Sequence, residues 1–370
     1  MIPIAKPVIG EEELEAVKEV LESGIVIQGP KVAMFEAAFA EYIGVHHAIA
    51  VNSGTAALHI ALLALGIKKG DEVIIPPMTF FATASTVMMC NARPVFADVD
   101  KETYTLEAKD AGKAAGQKTR AIIPVNLYGQ TADMGAITDV AKDRNLMILE
   151  DAAQAHGAEY HGKKAGTFGD AACFSFYATK TMTTGEGGMI VTNNEEIAKK
   201  CRLLRDHGQA SKYHHVLLGY NYRMTEMAAA IGLVQLRKIG IFISQRRRNA
   251  EALTRGLEEI DTVVPPKEAA GRYHTYYQYI IRLNDHFPRK REALIKMLEE
   301  KGVSARPSYP MPLYQQDALK EAIRSRKCAV AESVLPQLVE LPVHPLVPRA
   351  GLETAIEVIK TMATQSTIKE

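Results

Sequence analysis

The spacing of apolar residues predicts helices alternating with short buried strands over the first two-thirds of this 370-residue chain. Leu14, Val17 and Leu21 recur at helical spacing, and Gly24 follows them as a stop signal. Further helices are predicted at residues 32–42, 56–65, 80–90, 134–144 and 224–236. Apolar strands are predicted at residues 48–51, 72–75, 94–97, 121–125 and 146–149.

This alternation indicates an α/β fold with a mainly parallel sheet covered by helices on both faces, because strands that are apolar throughout bury both of their sides. Ligands of such sheets bind beyond the carboxyl ends of the strands. The residues that immediately follow each strand are therefore the first candidates for chemistry.

The pattern changes after residue 244, so we predict a large domain at residues 1–244 and a smaller α+β domain at residues 245–370. Within the second domain, strands are expected at 276–283 and 303–306 and helices at 289–300 and 327–338. The basic run at residues 246–248 lies on a helix expected to connect the domains. We interpret this run as a solvated helix face and not as a binding patch.

The composition is that of a soluble globular protein, with 47% hydrophobic and 24% charged residues and a net charge of +1. This balance gives no reason to expect nucleic acid or an anionic membrane as a partner. The four cysteines are widely separated and predict neither a metal site nor a disulfide framework. The N-terminus lacks the apolar run of a secretory signal, and no stretch looks long and apolar enough to span a bilayer, so a cytoplasmic location is expected.

The segment from Asn52 to Thr55 joins a predicted strand to the N-terminus of a helix. Free backbone N–H groups and the helix dipole at such a junction suit a phosphate, and Gly54 permits close approach. Ser53 or Thr55 could instead cap the helix, and these four residues alone favour capping.

Asp151 stands directly after another apolar strand, in the sequence Glu150-Asp151-Ala152-Ala153-Gln154. A carboxylate at this place can pair with a protonated ring nitrogen of a cofactor. It can also cap a helix, because Asp is a favoured N-cap residue. Taken singly, the two interpretations are equally good.

Lys180 leaves a third apolar strand and precedes a glycine-rich turn at residues 185–188. Burial there would leave a neutral amine able to attack an aldehyde, whereas the alternative is an ordinary surface lysine in a loop. The turn has the wrong spacing for a dinucleotide fingerprint and is followed by a strand, so a nicotinamide-dependent dehydrogenase is set aside.

The three segments together fit a single cofactor. This shared explanation is better than the separate alternatives of two helix caps and a surface lysine. Pyridoxal phosphate needs an anchor for its phosphate, an acid for its pyridine nitrogen and an amine for its aldehyde. A phosphate cradle, a carboxylate and a turn lysine all follow strands of one inferred sheet. The combination predicts a pyridoxal 5'-phosphate site.

Six motifs spread over nearly the whole chain carry a resemblance to a known family. They are residues 27–30 (IQGP), 52–58 (NSGTAAL), 150–154 (EDAAQ), 183–188 (TTGEGG), 219–224 (GYNYRM) and 341–345 (LPVHP). In this order they resemble the DegT/StrS-type nucleotide-sugar aminotransferases of the fold-type-I pyridoxal-phosphate superfamily. The resemblance implies a large domain with a mainly parallel sheet and a smaller C-terminal α+β domain.

The resemblance also implies the roles of the central residues. Lys180 would form the Schiff base with the cofactor aldehyde. Asp151 would keep the pyridine nitrogen protonated, so that the ring withdraws electrons from the substrate carbon. Gln154 would contact the side of the ring that bears its 3-hydroxyl group.

Other cofactor contacts follow from the same motifs. The phosphate would be bound by Gly54, Thr55 and Ser175. Phe80 matches the aromatic residue that stacks on the ring, although a core Phe has the same sequence signature. Asn221 matches an asparagine that reaches the phosphate from a neighbouring subunit, which implies a homodimer with shared active sites.

The residues that would contact the substrate are less well marked by sequence. The candidates are Lys6, Arg205, Arg223 and Tyr309. Arg205 could as easily form a structural ion pair, and His344 is interpreted as a packed or capping residue. The family often has His where this chain has Tyr177, which puts a substrate role for that position in doubt.

The resemblance implies transamination of a 3- or 4-keto sugar on a nucleotide diphosphate carrier, with L-glutamate as donor and 2-oxoglutarate as by-product. The amino sugar would serve polysaccharide, glycan or antibiotic biosynthesis. Relatives that use the cofactor for sugar deoxygenation replace the Schiff-base lysine with His, so Lys180 argues against a sugar dehydratase. A cofactor-binding regulator without turnover is the remaining alternative.

Overall fold

The computed structural model describes residues 1–320 and 326–364, and the rest of the predicted second domain lies outside the described residues. The α-helices of the described part are α1 (Glu11–Ser23), α2 (Pro30–Ile43), α3 (Gly54–Ala64), α4 (Ala82–Met89), α5 (Ala108–Ala114), α6 (Met134–Arg144), α7 (Glu195–Arg205), α8 (Glu226–Leu257), α9 (Arg291–Glu300), α10 (Ala329–Val334) and α11 (Arg349–Thr364). Its strands are β1 (His47–Val51), β2 (Glu72–Ile75), β3 (Arg93–Phe96), β4 (Thr119–Ile122), β5 (Met147–Asp151), β6 (Glu159–Tyr160), β7 (Lys163–Lys164), β8 (Ala171–Ser175), β9 (Gly188–Thr192), β10 (Gln209–Ser211), β11 (His214–His215), β12 (Val263–Val264), β13 (Arg272–Tyr273), β14 (Tyr279–Leu283), β15 (Arg306–Pro307) and β16 (Leu338–Leu341).

A seven-stranded sheet forms the centre of the fold, in the order β1-β9-β8-β5-β4-β2-β3. The strands from β8 to β3 in this order pair in parallel, whereas β9 runs antiparallel to both of its neighbours. The predicted mainly parallel sheet is confirmed. Strands β1, β5 and β8 therefore end at the same edge of the sheet, which brings together the residues that follow them.

Alternate residues of the strands pack against helices on opposite faces, as the pleat of a strand requires. Ile49 and Val51 of β1 lie in the apolar cluster that contains α3. Ala48 and Ala50 of the same strand lie in the cluster that contains α2 and the first half of α8. Both faces are covered, which explains why the strands are apolar throughout.

A second sheet, β12-β14-β16-β15, is antiparallel and packs with α9, α11 and the end of α8. The sequence interpretation missed β16, because it predicted a helix at residues 327–338 and no strand after it. In the structure, α10 and a short 3-10 turn at Leu335–Gln337 come directly before β16. Helix α8 runs without a break across residue 245, and Ile2 at the N-terminus pairs with Val303 of the second unit. The division near residue 245 stays a prediction.

Helix α8 corrects two expectations from the sequence. At 32 residues it is long and apolar enough to cross a membrane, although no such stretch was expected. It packs against α1, α2 and α11 within the protein, as the core helix of a soluble protein does. Arg246, expected on a solvated face, is buried on the inner side of α8, whereas Arg248 is exposed.

Candidate functional site

The ends of β1, β5 and β8 and the residues that follow them form the candidate site. Asp151 pairs with Cys173 across the β5–β8 ladder, so it lies two residues from the end of β8 at Ser175. Gly54, at the start of α3, lies against Ser175: a Cβ atom on Gly54 would be only 2.8 Å from the Ser175 Cβ. The positive charge of Lys180 is close enough to lower the pKa of Asp151. The three predicted segments therefore meet.

The start of α3 has both of the roles considered from its sequence. The Ser53 hydroxyl caps the helix by accepting a hydrogen bond from the Ala56 N–H at 3.1 Å. Within the described part of the chain, the N–H groups of Gly54 and Thr55 have no hydrogen-bond acceptor. Capping by Ser53 thus leaves two donors and the positive end of the helix dipole directed at the site.

Asp151 is a buried carboxylate and not a helix cap, because turns follow β5 where a helix would have to begin. Its Oδ2 accepts a hydrogen bond from the Thr83 hydroxyl at 2.8 Å, and its Oδ1 accepts one from the Ala153 N–H at 3.2 Å. Burial raises the pKa of Asp151 above its ordinary value, and these two hydrogen bonds and the charge of Lys180 oppose that rise. A positively charged group beside this carboxylate would stabilise its ionised form.

Gln154 is held between two parts of the chain. Its side-chain oxygen accepts a hydrogen bond from the Tyr128 N–H at 2.9 Å, and its nitrogen donates to the Tyr309 hydroxyl at 3.0 Å. Tyr309 follows β15 of the second sheet, so the Tyr-rich segment predicted to lie near the substrate does reach the strand ends of the first sheet. Burial raises the pKa of the Tyr309 phenol, which therefore stays neutral.

Lys180 is half-buried, which separates it from the freely solvated loop lysine of the alternative interpretation. Its Nζ lies 4.7 Å from the centre of the Tyr277 ring. The charge of Lys180 also contributes, after burial, to lowering the pKa of the neighbouring His156 to about 3. The lysine nitrogen thus lies at the strand ends among buried polar groups.

Phe80 is 63% exposed, so it is not the core Phe that its sequence also allowed. It precedes α4, in whose first turn the Thr83 hydroxyl bonds both Asp151 and, at 2.8 Å, the Thr79 hydroxyl. An exposed aromatic ring next to the residues that hold Asp151 is free to stack on a planar ligand.

The positively charged residues proposed to contact the substrate differ in their exposure and in their ion pairs. Arg205 is buried and its guanidinium group bonds Glu36 and the carbonyl oxygen of Ala50, so the structural ion pair is what the structure shows. We therefore withdraw Arg205 as a substrate contact. Arg223 is partly exposed and pairs with Asp206, and Lys6 is exposed.

Three further positions have clear surroundings. His344 is packed as expected, with its Nε2 3.0 Å from the Pro3 carbonyl oxygen. Tyr177 is exposed beside the site. Asn221 is exposed, and its backbone pairs with Asp206 of the same chain.

Sequence interpretation missed several residues of this site. Thr83 and Tyr128 lie outside the quoted motifs, and Tyr277 and Arg246 come from segments assigned to a strand and a solvated helix face. The one sequence signal for the burial of Arg246 is its helical spacing from apolar residues. It lies three residues from Ile243 and four from Phe242 and Ala250, which are all buried in α8. The other three required the tertiary fold.

The chemistry of these groups fits pyridoxal phosphate. The two free N–H groups of α3 beside Ser175 suit its phosphate, and Gly54 leaves the room that a Cβ would fill. The buried Asp151 suits a protonated ring nitrogen, and the half-buried Lys180 suits an aldehyde. No group of three or more metal-binding side chains occurs in residues 1–320 and 326–364.

Comparison with known proteins gives one family. The model of the DegT/DnrJ/EryC1/StrS aminotransferase family matches residues 7–362. A pleiotropic regulatory protein of Geobacillus stearothermophilus is 44% identical, over 89% of this chain and 91% of that protein. The GDP-perosamine synthase of Caulobacter vibrioides is 41% identical, over 90% of this chain and 92% of its own length.

Solved structures share the fold. The PLP form of Spr1654 of Streptococcus pneumoniae is 28% identical and superposes with a TM-score of 0.93, covering 98% of each chain. DesV of S. venezuelae is 35% identical, with a TM-score of 0.91 over 96% of this chain and 95% of that chain. The expected fold-type-I architecture is thereby confirmed.

Proposed function

Because this chain belongs to the DegT/DnrJ/EryC1/StrS aminotransferase family, we propose that it uses pyridoxal 5'-phosphate to aminate a nucleotide-linked keto sugar. L-glutamate is the proposed amino donor and 2-oxoglutarate the product released from it. The observation that carries the proposal is the meeting of Lys180, the buried Asp151 and the free start of α3 at one sheet edge.

Pyridoxal phosphate, when bound, supplies an electron-withdrawing ring that stabilises negative charge on the substrate carbon. The protein provides the groups that hold and orient it. Gly54, Thr55 and Ser175 would bind the phosphate, and Asp151, fixed by Thr83, would keep a positive charge on the ring nitrogen. Gln154 would contact the 3-hydroxyl side of the ring.

Lys180 has two tasks in this proposal. Its amine would hold the cofactor through the aldehyde, and, when free, it would carry a proton to and from the substrate carbon. A half-buried position suits both tasks, because the amine must be accessible to substrate yet shielded from bulk water. The exposed Phe80 would stack on the ring.

The nucleotide-sugar substrate is supported by the relatives. The Caulobacter vibrioides protein is named for a product that carries GDP on an amino sugar. In this chain, Tyr309 lies next to Gln154 and would face the sugar, whereas Lys6 and Arg223 would contact the pyrophosphate. Arg223 would have to share its guanidinium group between the phosphate and Asp206.

A homodimer with shared sites is part of the proposal. Leu14 and Leu21 on α1 and Ile27 in the loop after it are each more than half exposed, and apolar side chains of this size favour a protein contact. Asn221 is exposed and is proposed to reach the phosphate of the neighbouring subunit. We also propose a cytoplasmic location, since family members with this fold act in biosynthesis.

A regulator that binds the cofactor without turnover is the second candidate, because one relative is named a regulatory protein. The retained Lys180 and Asp151 argue against it, since a regulator needs neither a proton-transfer base nor a ring-nitrogen acid. Lys180 argues equally against sugar dehydration.

A donor and acceptor screen tests the proposal. The purified protein with pyridoxal phosphate and glutamate is incubated with nucleotide-linked 3-keto and 4-keto sugars, and 2-oxoglutarate is measured. We expect release that depends on one keto sugar and is lost in Lys180→Ala. Turnover with simple keto acids alone would remove the sugar substrate and keep the aminotransferase. If glutamate does not convert the bound cofactor to its amine form, the regulator is favoured.

A further inference from the structure

Tyr277 provides the aromatic surface that faces the proposed Schiff-base lysine. Its ring centre lies 4.7 Å from Lys180 Nζ, and its hydroxyl is 3.1 Å from the Thr179 hydroxyl. The residue comes from the segment between β13 and β14, far in sequence from the lysine. One side chain therefore touches both Lys180 and its neighbour.

The face of the Tyr277 ring lies next to Lys180 Nζ, so it interacts with a positive charge on that nitrogen. Among the ion pairs of residues 1–320 and 326–364, none includes Lys180. The negative face of an aromatic ring attracts an ammonium group, and more strongly where water is partly excluded. Tyr277 and Lys180 are both half-buried, so this attraction acts in a partly dry place.

The backbone of Tyr277 is fixed from two sides. Its carbonyl oxygen accepts a hydrogen bond at 3.0 Å from the buried Arg246 of α8. The next residue, Gln278, donates its N–H to the Tyr128 carbonyl oxygen at 3.1 Å. Gly129, at a φ of 105°, lies so close that a Cβ there would be 2.7 Å from the Tyr277 nitrogen. The ring is thus held by rigid neighbours.

The same segment holds a second group of the site. Tyr128 donates its N–H to Gln154 at 2.9 Å while its carbonyl oxygen accepts from Gln278. The loop around Tyr128 therefore fixes the spacing between Gln154, proposed to contact the cofactor ring, and Tyr277, which contacts the lysine. Such fixed spacing is what an active site needs for proton transfer.

We propose that Tyr277 is a positioning residue for Lys180: its ring, held by its fixed backbone, holds the lysine nitrogen when that nitrogen is not bonded to the cofactor. This role rests on the proposed function of Lys180. After the neutral amine takes a proton at the substrate carbon, the ring gives the resulting ammonium group one defined place, from which it gives the proton up again.

The test measures the amine directly in protein without cofactor. The protein receives a trace of acetic anhydride, and mass spectrometry gives acetylation of Lys180 relative to the exposed Lys163. Tyr277 is replaced by Phe, by Leu and by pentafluorophenylalanine, which keeps the shape of the ring but reverses the polarity of its face. Tyr213→Leu is the matched control, because the Tyr213 ring faces Lys212 at 5.4 Å.

We expect the Lys180 to Lys163 ratio to rise roughly 2- to 10-fold in Tyr277→Leu and in the fluorinated variant, since loss of the ring attraction frees the amine. Tyr277→Phe should stay within about twofold of the wild type, because its ring remains. Tyr213→Leu should leave the ratio unchanged. An unchanged ratio in the fluorinated variant overturns the proposal, and this variant keeps the shape of the site if Tyr277→Leu does not fold.

Kinetics with glutamate give a second readout. We expect Tyr277→Leu to lower kcat about tenfold while KM changes little, because the ring acts on the lysine and not on the bound substrate. Equal losses in Tyr277→Phe and Tyr277→Leu would contradict a role for the ring face. Failure of Lys180 to bond the cofactor would end the proposed function but would leave the acetylation result standing as a separate finding.

Discussion

The hydroxyl of Thr83 donates a hydrogen bond to Oδ2 of Asp151 at 2.8 Å, joining the first turn of α4 to the end of β5. Both side chains are buried, so the carboxylate has few other sources of stabilisation. A hydrogen bond to a buried charged group is worth about 1.5–3 kcal/mol. Thr83 therefore helps to keep Asp151 ionised in the place where a ring nitrogen must be protonated.

Replacing Thr83 with Val should raise the pKa of Asp151 further, because the lost hydrogen bond had favoured the charged form. We expect the acid limb of the pH profile of kcat to move up by about one unit. Thr83→Ser should keep the wild-type profile. Thr86→Val is the control on the same helix, because the Thr86 hydroxyl bonds the Ala82 carbonyl oxygen and not Asp151. An unmoved acid limb would show that Thr83 does not support the carboxylate.

The charge of Asp151 should destabilise the protein when the cofactor is absent. Burial raises the pKa of Asp151 in the folded state, so the unfolded chain ionises first as the pH rises. The contribution of this group to stability is full below its unfolded pKa and is lost as the pH rises through its folded pKa.

Asp151→Asn should therefore become more stable relative to the wild type as the pH rises from acid to neutral. Denaturant unfolding of both cofactor-free proteins across this range measures the difference, and Asp139→Asn, at an exposed position, is the control. Asp151→Asn should also abolish turnover. A constant difference between the two proteins at all pH values would contradict the argument.

Gly54→Ala should weaken cofactor binding, because the new Cβ would lie 2.8 Å from the Ser175 Cβ and force α3 away from β8. Overpacking of this kind costs about 1–3 kcal/mol, so we expect the Kd for pyridoxal phosphate to rise about tenfold or more. Gly240→Ala is the control, since a Cβ at this helical position meets no atom within 4 Å. Titration of cofactor-free protein by absorbance gives both constants, and equal affinities would remove the phosphate site from α3.

Arg205→Ala should lower stability and not substrate affinity. Removing the arginine breaks its buried ion pair with Glu36 and leaves the carboxylate uncompensated. This lowers the free energy of unfolding by about 3–5 kcal/mol. Arg255→Ala, which removes an exposed ion pair with Glu251 at 3.2 Å, should cost less than about 1 kcal/mol. Denaturant unfolding measures both. A raised KM for the nucleotide sugar with unchanged stability would restore Arg205 as a substrate contact.

Much of the fold was predictable because hydrophobic spacing reflects which sides of an element are buried. Helix α6 and strand β2 have the predicted bounds, since both lie in segments with strong apolar periodicity and clear end signals. Strand β16 was missed because residues 338–341 follow directly on a helical segment, and their burial depends on pairing with β14 and β15.

The candidate site was predictable only where motifs mark it. Asp151 ends one buried strand and Lys180 follows another, and these positions are visible in the sequence. Tyr277 and Thr83 reach the same place through tertiary contacts that no local pattern records. Arg246 was misplaced because a run of three arginines looks solvated, although one residue in such a run can face the inside of a helix that is covered on two sides.

The bond between Lys180 and the cofactor is the central claim. Purified protein is incubated with pyridoxal phosphate, reduced with borohydride and digested, and the modified peptide is identified by mass spectrometry. We predict a reduced cofactor adduct on Lys180 that is absent from Lys180→Ala and from protein treated with glutamate before reduction. An adduct on another lysine, or none on residue 180, would contradict the account.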